Sequence, residues 1–187
     1  MELRIENLCK SYHGRPVLQN VTFTAKTGVT CVMAPSGAGK TTLLRILLGL
    51  ERPDSGSFPG DIRWSAVFQE DRLLETLDAM ANLRFALGPE MDTSAAQTLL
   101  EELGLGDTAG KPVKAFSGGM KRRLALARAL LAESDAVALD EPFTGLDREN
   151  RARCLSHVRR AAAEKPVLLV THDPADIETL DAAVVRL

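Results

Sequence analysis

Val29-Thr30-Cys31-Val32-Met33-Ala34-Pro35-Ser36-Gly37-Ala38-Gly39-Lys40-Thr41-Thr42-Leu43-Leu44-Arg45-Ile46-Leu47-Leu48 reads as an apolar strand, a small-residue loop and an apolar helix in direct succession. Such a loop leaves backbone N–H groups pointing into a concavity that faces a helix N-terminus. An anion bound there meets several donors and the positive end of a dipole, so phosphate is the natural guest of Ala34, Pro35, Ser36, Gly37, Ala38, Gly39, Lys40, Thr41 and Thr42. Lys40 adds a mobile charge for the outer phosphates, and the Thr41 hydroxyl is placed to ligate a magnesium ion. The pattern G-x-x-x-x-G-K-[ST] is met except at its first position, where Ala34 replaces glycine. If that position needs a positive φ or close backbone packing, the extra methyl costs on the order of 1 kcal/mol. An ordinary Gly-rich turn has the same local composition.

The strands predicted on either side of this loop set the fold class. Ala136-Val137-Ala138-Leu139 and Val167-Leu168-Leu169-Val170 are short, apolar on both faces and followed by polar residues. That is the pattern of buried parallel strands, whose carboxyl ends carry ligand chemistry in open α/β sheets. Asp140-Glu141-Pro142 follows the first and Thr171-His172-Asp173 the second. Asp140 can hold magnesium through water and Glu141 can polarise a water molecule, provided both lie near the phosphate site. Two acids after a Val/Leu run, and a single histidine after a strand, also occur for purely structural reasons. His13 and His157 have no such placement.

Upstream, Leu3, Ile5 and Leu8, then Val17 to Phe23, alternate with polar neighbours, which predicts an antiparallel pair with a turn at His13-Gly14-Arg15-Pro16. Tyr12, the only tyrosine, ends the first of these strands; it is either a half-buried strand aromatic or a ring that stacks on a base. Gly49 to Gly60 reads as loop, and Ile62, Trp64 and Val67-Phe68 as a short strand leading into Gln69. Leu73 to Leu105 carries helical periodicity, broken by Gly104, Gly106, Gly110 and Pro112. Ser117 then caps a long helix predicted from Met120 to Ala132, and Gly118-Gly119 leave its start open to close approach. This is either a second phosphate contact or a simple capped helix. A charged helix over 147–163, a short helix over 174–180 and a last strand over 182–187 complete the chain.

Composition narrows the function classes. The chain has 187 residues, 23 Lys plus Arg against 25 Asp plus Glu, a net charge of −2 and a pI near 6.0, so no polyanion-binding surface is indicated. Cys9, Cys31 and Cys154 are far apart and form neither a disulfide framework nor a metal knuckle. The first residues lack a secretory core, and no apolar run approaches the ~18 residues needed to cross a bilayer.

Taken together, the ordered segments resemble the nucleotide-binding subunit of ATP-binding cassette (ABC) transporters over nearly the whole length. Ala34 to Thr42 resembles the Walker A loop, Gln69 the Q-loop glutamine that touches magnesium or the attacking water, and Phe116-Ser117-Gly118-Gly119-Met120 the Leu-Ser-Gly-Gly-Gln signature. Asp140 matches the end of the Walker B strand, Glu141 the catalytic glutamate, Thr144-Gly145-Leu146-Asp147 the D-loop, His172 the switch histidine and Tyr12 the aromatic that stacks on adenine. Departures are Ala34 for Gly, Phe116 for Leu and Met120 for Gln. Val67 to Leu74 resembles importers of the nitrate, sulfonate and taurine type.

The resemblance implies an α/β P-loop (RecA-like) core sheet with an N-terminal antiparallel β subdomain and an inserted helical subdomain. Residues 1–187 would form one ABC ATPase domain, with about 1–70 and 134–187 as the core and about 71–133 as the helical part bearing the signature. It implies ATP and Mg2+, a second nucleotide-binding subunit, an integral-membrane permease, in some systems a substrate-binding protein, and a cytoplasmic place on the inner face of the membrane; nucleic acid is not expected. Other classes compatible with the motifs are a soluble cassette ATPase acting on a cytosolic machine and a regulatory module that binds nucleotide without hydrolysing it.

Overall fold

The computed structural model describes residues 1–35 and 37–187; the sequence expectation for Ser36 lies outside the described residues. Eleven residues, Glu2–Tyr12, form β1, which pairs antiparallel with β2, Arg15–Lys26. The turn is only His13-Gly14, because Tyr12 already pairs with Arg15. Both turn residues have positive φ, 51° and 76°, the conformation of a two-residue hairpin whose twist matches its strands. The four-residue turn expected over His13 to Pro16 is therefore too long by two.

A parallel sheet of five strands carries the rest. These are β3 (Gly28–Met33), β5 (Trp64–Val67), β6 (Ala136–Asp140), β7 (Pro166–Val170) and β8 (Ala183–Arg186), in the order β5-β6-β7-β3-β8. The remaining strand, β4 (Ser55–Ser57), extends the antiparallel sheet to the order β2-β1-β4 and corrects the reading of 49–60 as loop. Ser-Gly-Ser has no periodicity and is exposed throughout; pairing with Glu6 and Cys9 of β1 makes it a strand.

Every residue of β6 and β7 is buried, because each strand has apolar packing on both faces. Val137, Leu139, Val167 and Leu169 face a core shared with Leu83, Leu100, Leu124 and Leu126. Their neighbours Ala136, Ala138, Leu168 and Val170 face a second core with Leu3, Ile5, Leu43 and Ile46. The alternation is the period of two of a strand, and it places the helices Ala79–Leu87, Thr93–Glu102, Gly118–Leu131 and Arg148–Ala162 on one side and the antiparallel sheet with the helix Lys40–Leu47 on the other.

Helices occupy Lys40–Leu47 (α1), Ala79–Leu87 (α2), Thr93–Glu102 (α3), Gly118–Leu131 (α4), Arg148–Ala162 (α5) and Pro174–Leu180 (α6). Side-chain oxygens of Asp78, Asp92, Ser117, Asp147 and Asp173 cap the last five by accepting from backbone N–H groups. The helical periodicity read from Leu73 begins only at Ala79. Residues 74–78 instead loop around Asn82, whose amide donates to Leu74, Leu77 and Asp78 carbonyls and accepts from Leu74 N–H at 2.7 Å. Among the described residues no helix is long and apolar enough to cross a membrane. Burial pushes the thiols of Cys31 and Cys154 up to about 11 and about 12, which makes both unreactive.

Candidate functional site

Four parallel strands deliver polar residues to one edge of the sheet. The strand β3 ends at the phosphate loop, β5 at Phe68-Gln69, β6 at Asp140-Glu141 and β7 at Thr171-His172. A cavity of about 410 Å3 opens there, and Tyr12, Gly37, Gly39, Lys40, Thr41, Thr42, Gln69, Asp140 and Glu141 line it. Residues separated by more than a hundred positions thus line one cavity, while His172 lies in an adjoining hollow with Glu141, Thr144 and Asp173.

The loop geometry explains its glycines. Gly37 and Gly39 have φ of +79° and +91°, and a Cβ on Gly39 would lie 2.7 Å from Leu18 Cδ2 and 2.9 Å from the Val17 carbonyl oxygen. No other residue type fits at Gly39. Ala34 is not among the left-handed residues, which removes the cost expected from a positive φ. Lys40 Nζ donates to the carbonyls of Ala34 at 2.7 Å and Pro35 at 3.1 Å, spanning the loop. An ammonium has three donors, and two are used among the described residues, which leaves one for an anion.

At the start of α1, Thr41 Oγ1 donates to Asp140 Oδ2 at 3.3 Å. Asp140 is only 4% exposed; burial raises its carboxyl pKa, and the Thr41 hydrogen bond opposes that shift. Hydroxyl, carboxylate and the Gln69 amide in one cavity are hard oxygen donors of the kind magnesium prefers. One or two protein oxygens suffice when phosphate and water supply the others. The residues present fit that ion.

Glu141 sits at φ +50°, a strained conformation for a non-glycine residue, held by its N–H donating to the Val170 carbonyl at 2.9 Å. Its carboxylate oxygens both lie 3.0 Å from His172 Nδ1. That hydrogen bond, then the charge of the same carboxylate, raises the His172 pKa above its ordinary 6.5. A raised folded-state value means that the interaction is complete below the ordinary value and lost as pH rises through the raised one. His172 is 80% exposed, so solvent screening keeps the effect on global stability small. NMR titration of the His172 ring is expected to give a midpoint above 6.5 that falls back in Glu141→Gln. Identical midpoints in the two proteins would rule out the pair in solution.

The turn carrying His172 is anchored from α5. Arg151 donates to the Asp173 carboxylate and, at 2.9 and 2.6 Å, to Asp176 Oδ1; Asp176 Oδ2 accepts from Thr171 Oγ1 at 2.9 Å. These residues escaped the sequence reading because nothing local distinguishes Arg151 or Asp176 from solvated helix charges.

Ser117, Gly118 and Gly119 lie elsewhere. They line a separate hollow with Arg122, Arg123, Gly145, Leu146 and Asp147, not the phosphate-loop cavity. Ser117 Oγ accepts from Met120 N–H at 3.2 Å, so it is a true cap with its own proton still to donate. A Cβ at Gly118 would meet nothing within 4 Å, and one at Gly119 would make ordinary contact with Leu146 at 3.4 Å. The fold of this chain does not require glycine at either position.

A parallel sheet with a P-loop after β3, a carboxylate after β6 that accepts from the loop's threonine, and an acid beside a histidine defines the class of P-loop nucleotide hydrolases. The ABC transporter family model matches residues 18–144. The chain is 37% identical over 174 residues to an aliphatic sulfonates import ATP-binding protein, SsuB 1, of Paracoccus denitrificans, covering 90% of this chain and 72% of that one. It is 36% identical over 177 residues to a zinc import ATP-binding protein, ZnuC, of Pseudomonas syringae pv. syringae, covering 91% and 67%. A solved ATP binding subunit of an ABC transporter superposes with a TM-score of 0.90 at 26% identity, over all of this chain and 86% of that one. This chain belongs to the ABC transporter family and is an ATP-binding subunit whose ATP hydrolysis is coupled to transport. Neither a cytosolic-machine ATPase nor a non-hydrolysing module is favoured.

Proposed function

We propose that this chain powers an importer, working as one of two cassettes on a separate membrane permease, each cassette burying ATP between its own phosphate loop and the signature segment of the other. The observation that carries this reading is the separation of Ser117-Gly118-Gly119 from the phosphate-loop cavity, together with glycines that its own packing does not need. Close approach of a partner's nucleotide gives those glycines a reason. Residues 1–70 and 134–187 would act as the core and 71–133 as the helical subdomain.

Within each site Tyr12 stacks on adenine, the loop from Ala34 to Thr42 cradles the phosphates, and Thr41, Asp140 and Gln69 would hold Mg2+. When bound, that ion neutralises charge on the outer phosphates. Glu141 takes the proton of the attacking water, and His172, hydrogen-bonded to the Glu141 carboxylate, keeps it oriented toward the site. Lys40 and the partner's signature N–H groups stabilise the charge that develops on the transferred phosphoryl group.

The permease would dock beside Gln69. There Leu48, Leu50, Trp64, Phe68, Leu74 and Phe85 line an apolar groove of about 460 Å3, and Phe85 is 74% exposed. An exposed aromatic at the rim of an apolar groove suits insertion of a short amphipathic helix. This contact would hold the subunit on the inner face of the membrane. Relatives of nearly equal identity import sulfonates or zinc, so cargo is selected outside the cassette; the Val67 to Leu74 resemblance favours the sulfonate class.

Affinity capture of the tagged chain from detergent-solubilised membranes tests this. An integral-membrane protein is expected to co-purify, and to be lost with Phe85→Asp. A purely soluble complex would sink the transporter reading.

A further inference from the structure

The loop bearing Gln69 leaves the sheet after Val67, and its backbone carbonyls need new partners. Two arginines of α4 supply them. Arg122 donates from Nη1 to the Phe68 carbonyl and from Nη2 to the Gln69 carbonyl, both at 2.6 Å. Arg128, less than two turns further along the helix, donates to the Arg72 carbonyl at 2.6 Å and the Asp71 carbonyl at 2.9 Å. Arg122 is 8% exposed, an uncommon position for a guanidinium. Asp71 Oδ1 lies 3.2 Å from Nη1 without hydrogen-bonding geometry, so it balances the charge and takes neither donor.

From this geometry we infer that Arg122 is a positioning residue for Gln69: its planar fork fixes the two peptide groups flanking the Gln69 Cα and so aims the amide side chain into the phosphate-loop cavity. A lysine reproduces this only in part, because an ammonium's donors diverge from one freely rotating nitrogen, whereas the guanidinium holds two nitrogens in a rigid plane, one for each carbonyl. The same helix is capped by Ser117, so the loop of one ATP site is fastened to the segment offered to the other.

The inference rests on Gln69 being a site residue, and a double-mutant cycle on the full chain with MgATP separates the two ideas. Arg122→Gln is expected to lower kcat about tenfold, within the range for residues that orient a ligand from behind it, with KM for ATP within about twofold. Arg122→Lys recovers only part of the loss. In a Gln69→Ala background the added Arg122→Gln changes kcat by less than about twofold, because the group it aims is gone. Amide exchange over residues 68–72 speeds up in Arg122→Lys, a readout independent of turnover. If Arg122→Gln does not fold, Arg122→Lys takes its place in the cycle. An equal loss in both backgrounds, or no loss in either, overturns the positioning role. Wild-type kcat in Gln69→Ala alone refutes the Gln69 assignment instead, and the inference falls with it.

Discussion

Glu141→Gln is expected to bind ATP with near wild-type affinity and to lower the turnover number by about 10²–10⁴-fold, the range general-base catalysis supplies. The substitution keeps size and shape and changes only the ability to take a proton. Backbone strain at φ +50° is the same for Glu and Gln, and the N–H bond to Val170 is unaffected, so the fold should be untouched. An amide still reaches His172 Nδ1 as a hydrogen-bond partner, but it no longer charges the imidazole. The loss therefore falls on kcat rather than on KM. A second consequence follows from the composite site: with hydrolysis blocked, ATP should hold two copies together, visible as a dimer in sedimentation that reverts when ATP is replaced by ADP. Phosphate release at the wild-type rate would remove Glu141 from the base role.

Local sequence revealed the elements whose signals are local. β6 and β7 were legible because apolar runs end abruptly in polar residues, and α4 because Ser117 caps it. β4 was illegible because its three residues carry no pattern, only a partner strand. The hairpin turn was misjudged because nothing in His13 announces a positive φ. Ala34 looked like a backbone defect while the loop was a pattern, and its backbone strain vanished once the left-handed positions proved to include Gly37 and Gly39.

The site divides in the same way. Lys40, Thr41, Asp140, Glu141 and His172 each follow a strand or open a helix; the parallel register brings the first four to one cavity, and His172 joins them through its hydrogen bond to Glu141. Arg122 and Arg128 belong to a run, Met-Lys-Arg-Arg-Leu-Ala-Leu-Ala-Arg, whose charges look solvated. Their role appears only when the helix is laid against the Gln69 loop, because a buried guanidinium is stable where carbonyls without a ladder partner await it.

Lys40→Ala should raise the dissociation constant for ATP by about 10- to 100-fold, since a charged hydrogen bond to phosphate is worth roughly 1.5–3 kcal/mol. The difficulty is that Lys40 also donates to the Ala34 and Pro35 carbonyls, so its removal could loosen the loop and weaken binding for a merely structural reason. AMP separates the two. It presents the base and the first phosphate to Tyr12 and the loop N–H groups but lacks the outer phosphates that an ammonium at the helix start would reach. If Lys40 acts through charge on those phosphates, AMP affinity changes by less than about twofold while ATP affinity falls, and the ATP loss shrinks as salt rises. If the loop itself fails, both nucleotides weaken together and salt makes no difference. Calorimetry with the two ligands decides it: parallel losses would reassign Lys40 from phosphate contact to loop support.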